Sequence, residues 1–391
     1  MFESRQALEE RAIVIGGGIG GLAAAVALRR AGIDVAVFEQ QHDLRKTQVG
    51  GGIHMWANAM RALAQLGLAE RVTELGAPIE RTEFRDWRGR LLAVWPIGEI
   101  AREFGTRDAG ISRGELQQVL VDAQENGNVN AGVECTGFEQ DASGVTARFA
   151  DGREERGSLL VGADGLRSTI RAQLLGSAPP RYAGYAQFQS LVAAGADLLP
   201  AGVERVVFGR GNRAVLHRVG GNRLFWAGAL YAPEGTLLGQ AKKETLLKRF
   251  RGWEPPIETA IEATPEDLIV AFDIYDRPPV DRWGEGRVTL VGDAAHPMTT
   301  NLSQGGCQAL EDAVVLASSL KADSDVARAL RAYEERRIPR TSTLVKRSHG
   351  IARMGGIKNP VAAAVRDRIS GIALGRAGVK DYRKFVATQE L

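Results

Sequence analysis

The chain has 391 residues, 44% hydrophobic and 25% charged, enough to bury a sizeable core in one large domain or two of ordinary size. Fifty basic residues against 47 acidic ones leave a net charge of +3, too little to suggest a nucleic-acid surface. Two cysteines, Cys135 and Cys307, rule out a disulfide framework, and His42, His54, His217, His296 and His349 stand in no metal-ligand spacing. A reducing cytoplasm is the expected home.

The first predicted element is a buried strand, RAIVIG, which runs into GxGxxG at Gly16, Gly18 and Gly21. The uncharged run Ala12–Leu28 has five glycines in six positions, which would break a membrane span or signal core. LAAAVALRRAG follows as a helix ending at Gly32, and IDVAVFE is the next strand, ending in Glu39. Gly16 permits the tight turn, Gly18 lets backbone approach a pyrophosphate, and Gly21 lets helix and strand pack closely. The helix N-terminus receives phosphate, and Glu39 can accept hydrogen bonds from ribose hydroxyls. A dinucleotide is expected, and the motif alone does not choose between FAD and NAD.

QVGGGIHMWANAM then leads from a glycine-rich loop into a helix, and it carries His54. The stretch from Gly76 to Arg107 holds strand-like pieces, IERTEFRDW and RLLAVWPI. ISRGELQQVL reads as a helix opened by a Ser112/Glu115 capping box. GSLLVGADGLRSTIR reads as a strand over Leu159–Ala163, a turn at Asp164-Gly165 and a helix from about Ser168. Between Arg181 and Gly284, apolar runs such as YAQFQSLVAA, ERVVFG, RAVLHRV and RLFWAGALY alternate with turns, which predicts a mainly antiparallel sheet.

GRVTLVGDAAHP is a buried strand ending at Gly292-Asp293, with Pro297 beyond it. SQGGCQALEDAVVLASSL continues as a helix whose first turn is nearly bare backbone at Gly305 and Gly306. An Asp at a strand end can hold a sugar-alcohol hydroxyl, and a helix N-terminus favours nearby negative charge. YEERRIPRTSTLVKR reads as a solvated helix face, and PVAAAVRDRISGIALGRAG as an amphipathic helix packed on the fold or on a subunit neighbour.

GxGxxG with Glu39, then GADGLRSTIR, then GDAAHPMTTNLSQGGCQALEDA resembles, in order and spacing over roughly residues 10–350, the single-component FAD-dependent aromatic hydroxylases of the para-hydroxybenzoate hydroxylase type. The resemblance implies an α/β fold: a Rossmann-like FAD-binding domain, an inserted mainly antiparallel substrate sheet and C-terminal helices. The expected divisions are 1–75, 108–180 and 285–350 for FAD, 76–107 and 181–284 for substrate, and 351–391 for the tail. No extra C-terminal domain of the kind the larger hydroxylases carry is expected.

By the same resemblance Arg113 and Gln117 lie on the cofactor, Asp164 serves FAD and the nicotinamide donor, and Asp293 holds the ribityl or pyrophosphate region. Gly292, Pro297, Gly305 and Gly306 complete that site, with the helix end facing the flavin ring. With no second GxGxxG, NADH or NADPH visits the flavin from a groove. The resemblance implies that dioxygen would be activated at the flavin C4a carbon, with its distal oxygen passing to an aromatic or heteroaromatic ring. The flavin carries the hard chemistry.

His54 and Arg213 are the residues expected on the substrate. His54 can hydrogen-bond or deprotonate a phenolic or heteroaromatic ring, and Arg213 stands where urate-hydroxylase-like members place an Arg. Phe225 stands where urate-type members use tyrosine, which argues against urate, and Ala57 replaces a common proline after the glycine loop. Phe225 and Trp226 read as pocket or core walls, His296 as structural, and His217 and Arg218 as strand-face residues without a special role. An epoxidase, a hydride-transferring flavin or NAD oxidoreductase, and a non-catalytic nucleotide-binding protein are the other readings. No metal, nucleic acid or membrane partner is expected, and the chain is expected to be a monomer or homodimer.

Overall fold

The computed structural model describes residues 11–44, 51–124, 129–193 and 198–387. Gln48, Val49 and Gly50 of the glycine-rich loop lie outside them. A five-stranded parallel sheet has the order Val288–Leu290, Leu159–Gly162, Arg11–Ile15, Asp34–Glu39, Val129–Ala131. Its inner strands are near-continuous apolar runs, as a sheet covered on both faces requires. Helix Ile19–Arg30 covers it and packs against helix Gly305–Ala322, so the two glycine-rich helix starts share one layer. An antiparallel meander of Cys135–Gln140, Val145–Phe149 and Glu154–Gly157 flanks this half.

The second sheet has nine strands, eight of them in the order Val270–Asp276, Arg181–Ala193, Arg223–Tyr231, Asn212–Val219, Gly202–Phe208, Ala77–Asp86, Asp108–Ser112, Gly52–Met55. Leu91–Trp95 pairs with Ala77–Asp86 as the ninth. All neighbours are antiparallel except Gly202–Phe208 with Ala77–Asp86. The strand period of two separates the two aromatic neighbours. Phe225 faces the space between the sheets, whereas Trp226 turns to the opposite face and donates to Thr264 Oγ1 at 2.9 Å. There it packs with Leu246, Phe250 and Ile261 of two covering helices.

Helix Val326–Gly355 runs beneath helix Gly305–Ala322, and the tail adds helices Pro360–Ile372 and Gly378–Ala387. Asn359 caps the first tail helix by accepting from the amides of Val361 and Ala362. One face packs through Ala363 and Arg366, the latter donating to the Gly209 carbonyl at 2.8 Å. Val361, Val365, Ile369 and Ile372 on the other face are exposed. Among the described residues, no helix is long and apolar enough to cross a membrane, and no His/Cys/Asp/Glu group could hold a metal ion.

Candidate active site

The glycine loop leaves the end of strand Arg11–Ile15. Gly16 has φ +112°, and a Cβ there would strike the Ala163 carbonyl. A Cβ on Gly21 would strike the Gly16 carbonyl, so helix and loop touch only because both residues are glycine. Gly18 faces open space, as an approach for phosphate requires. Glu39 is buried, with Oε2 accepting from the Gly17 amide at 2.7 Å and Oε1 from the Gln41 amide at 2.9 Å. Glu39→Gln is expected to weaken FAD retention while leaving the spectrum of bound flavin unchanged. Equilibrium dialysis with absorbance spectroscopy checks this, and a shifted spectrum at full occupancy would count against the adenosine end.

Helix Arg113–Asp122 begins at Ser112, whose Oγ accepts from the Glu115 amide and donates to Glu115 Oε2 at 2.6 Å. Gln117 donates to the Gly17 carbonyl at 3.2 Å and so ties this helix to the glycine loop. Burial lowers the pKa of Arg113, and nearby Asp293 opposes that shift. Asp164 Oδ2 accepts from the amides of Thr169 and Ile170, capping helix Thr169–Leu175. Its Oδ1 is buried with no hydrogen-bond partner among the described residues, and burial raises its pKa against the Ser168 hydrogen bond. Arg171 donates to the carbonyls of both Ala294 and Ala295 at 2.9 Å, locking this motif to the turn that carries Asp293.

That turn is a short 3-10 segment, Gly292–Ala294, after a strand that stops at Leu290. Gly292 has φ +59°, and its amide donates to Asp312 Oδ2 at 2.9 Å. Pro297 is buried beyond the turn, its carbonyl accepting from the Arg277 amide. Asp293 opens into a cavity of about 530 Å³. Desolvation by the surrounding protein raises the pKa of its carboxyl, and His296 and Arg113 oppose that shift. Gly305 and Gly306 begin helix Gly305–Ala322 on the same wall. A side chain at Gly306 would meet Ile53 at 2.7 Å.

The cavity gathers Arg113, Asp293, Gly305, Gly306, His54 and Arg213. Gly16, Gly18, Gly21, Glu39, Gln117, Asp164, Gly292 and Pro297 do not line it: they form the loop, the turn and the bracing behind it. Such an arrangement suits a cofactor longer than the cavity. The open side of Gly18, the unpartnered Asp164 oxygen and the cavity-facing Asp293 fit FAD.

His54 is 1% exposed, with Nδ1 at 3.1 Å from Glu204 Oε1 and Nε2 at 3.1 Å from Asp108 Oδ2. Burial lowers its pKa, but Glu204 and Asp108 overcome this and carry it to about 9. It is an imidazolium with both N–H groups engaged, and its ring stacks on Trp56 at 4.1 Å. Beside it His217 behaves oppositely. Burial holds His217 down at about 4, and Nδ1 lies 3.2 Å from the Arg218 carbonyl. A carbonyl only accepts, so Nδ1 carries the proton and Nε2 is the acceptor of a neutral ring lining the cavity. The RAVLHRV pattern gave no signal for this beyond the histidine itself. Arg213 donates to the Asn301 carbonyl at 3.2 Å.

The charged face of YEERRIPRTSTLVKR corrects the sequence reading. Tyr333, Glu334 and Arg337 are buried, not solvated. The reason is Glu311 and Asp312, two buried carboxylates on helix Gly305–Ala322 that require cations from the helix below. His296 belongs to the same bracing, its Nε2 at 2.6 Å from Asp312 Oδ2.

A Rossmann loop at one end and a carboxylate beside a glycine helix start at the other fit a flavoprotein oxidoreductase. Comparison gives the family. Residues 9–192 and 267–348 match the FAD binding domain family. The aurachin C monooxygenase/isomerase of Stigmatella aurantiaca is 41% identical over 361 residues, 91% of this chain and 92% of that protein. The FAD-dependent urate hydroxylase of Klebsiella pneumoniae subsp. pneumoniae is 38% identical, over 86% of this chain and 88% of that one. The crystal structure of Klebsiella pneumoniae HpxO complexed with FAD and uric acid superposes with a TM-score of 0.90 at 33% identity, covering 97% of both chains. The chain belongs to this family of FAD-dependent aromatic hydroxylase-type monooxygenases. FAD is its cofactor, and NAD(P)H is the family's usual donor.

Asp293→Ala is expected to stay folded and to lose FAD about ten- to hundredfold more readily, since a hydrogen bond to a charged group is worth about 1.5–3 kcal/mol. Dialysis followed by flavin quantification checks it, and stoichiometric FAD in the mutant would remove Asp293 from the cofactor.

Proposed function

We propose that this enzyme hydroxylates a small phenolic or heteroaromatic ring bound between the Gly305 helix end and the Asn212–Val219 strand. One observation carries the reading. A single cavity has a cofactor wall, with Asp293, Arg113 and two glycines, facing a wall with Arg213, Phe225 and a neutral imidazole at His217. FAD supplies the oxygen-activating chemistry when bound.

The chain's own residues orient and ionise the ring. His217 Nε2 accepts the ring's hydroxyl proton, which makes the ring electron-rich where oxygen is transferred. Arg213 stabilises the resulting anion, and Phe225 fixes the ring plane. His54 acts through its neighbours: as a fixed imidazolium it holds Glu204 and Asp108 in place and discourages a second proton on His217. Phe225 and the replaced tyrosine argue for a ring other than urate.

The test is purified, yellow protein screened with phenols and N-heteroaromatics for stimulated NADH and NADPH oxidation under labelled dioxygen. Label in the product supports monooxygenation. NAD(P)H oxidation with no label in any product would leave hydride transfer as the activity.

A further inference from the structure

A second cavity, of about 260 Å³, lies beyond the first and shares with it Arg213, Val215, Ser303 and Gln304. Its walls are of another kind. Trp56, Phe84, Trp95, Phe208, Leu302 and Phe385 face it, and none of Asp293, Arg113, Gly305 or Gly306 does. The sheet supplies one side and the C-terminal helices the other, through Leu344 and Tyr382. The far side includes the Arg347–Asp381 ion pair, 2.7 Å apart with both side chains more than half exposed.

Packed interiors leave few voids, and a void walled by aromatic and aliphatic groups stays dry or takes an apolar guest. A small polar ring held at Arg213 would leave this space unused. Chain attached to the ring, on the side away from the flavin wall, would enter it directly through the shared residues. We infer that the substrate is an aromatic ring bearing a hydrocarbon chain, the ring seated at Arg213 and the chain in the second cavity. This inference rests on the ring-hydroxylation reading above and adds the substrate's lipophilic part. The tail helices then become part of the binding site, since Tyr382 and Phe385 close the cavity that the sheet alone leaves open.

The FAD-loaded full chain is titrated with resorcinol and with 4-n-alkylresorcinols of two to ten carbons. Perturbation of the flavin spectrum gives Kd, and NAD(P)H consumption is followed in parallel. Each buried methylene should tighten binding roughly threefold to fourfold until the cavity is full, after which Kd levels off. Val206→Trp, which fills the cavity from the sheet side, should move that plateau to shorter chains and leave resorcinol itself unaffected. If that variant fails to hold FAD, Phe208→Ala serves instead, and its plateau should move to longer chains. Resorcinol binding with no gain along the series would overturn the inference and leave the ring reading intact, as would a plateau that neither variant moves. Failure of every member to perturb the flavin would overturn the inference, and the labelled-dioxygen screen above then decides the ring reading on its own.

Discussion

Arg337→Ala is expected to cost about 3–5 kcal/mol of stability and to release FAD along with it, because it removes the cation that two buried carboxylates share. Arg337 is 3% exposed and donates to Asp312 Oδ1 at 2.7 Å, Glu311 Oε2 at 2.5 Å and Gln308 Oε1 at 2.7 Å. Burial alone would lower its pKa, but Glu311 and Asp312 raise it instead. Asp312 in turn is held at about 2 by His296 and Arg337 against the effect of burial. Arg340 still reaches Glu311 in the mutant, but Asp312 keeps only His296 and the Gly292 amide. That amide belongs to the turn presenting Asp293, so the lost support should be felt at the cofactor. Chemical denaturation and flavin release are measured together. Arg328, on the exposed side of the same helix, is the control: Arg328→Ala should be nearly silent, as exposed ion pairs are. Wild-type stability for Arg337→Ala would mean that the buried network does not brace the flavin site.

This network also shows where sequence reading stops. The glycine loop was legible because its parts are local: a strand, a turn that tolerates only glycine, a helix and an acid at the next strand end. Helix Gly305–Ala322 was legible for the same reason. Arg337 and Asp312 are 25 residues apart on different helices, and nothing in YEERRIPRTSTLVKR marks which arginine points inward. Face assignment failed similarly in the sheet. Phe225 and Trp226 are adjacent, so one must face the cavity and the other the core, but only the pairing partners decide which. Gly52–Met55 is too short, and too close behind a glycine-rich loop, to read as a strand, yet it pairs with Asp108–Ser112 and thereby brings His54 onto Asp108. The His54–Asp108–Glu204 cluster depends on strands from three distant parts of the chain, and no spacing rule foretells it.

The second large effect concerns the two histidines, whose rings lie 6.2 Å apart and carry opposite protonation. His217→Ala is expected to keep FAD and substrate-free NAD(P)H oxidation, and to lower ring hydroxylation about 10²–10⁴-fold, the usual worth of general base assistance. NAD(P)H should then be spent on hydrogen peroxide, which is quantified beside the product. The pH dependence separates the roles. Hydroxylation by the wild type should fall as pH drops through about 4, where His217 takes up a proton and ceases to accept one. His54 governs the other limb. Its folded pKa of about 9 lies above the ordinary 6.5, so its contribution to stability is complete below 6.5 and is lost as pH rises through 9. Above that range Glu204 and Asp108 face each other without the cation between them. His54→Ala should therefore lower thermal stability at pH 7 and remove the alkaline loss, whereas His217→Ala should remove the acid limb of hydroxylation and, because burial holds His217 below 6.5 in the folded state, the loss of stability as pH falls below 6.5. If His217→Ala couples NAD(P)H to product as the wild type does and keeps the acid limb, the proton acceptor is another group.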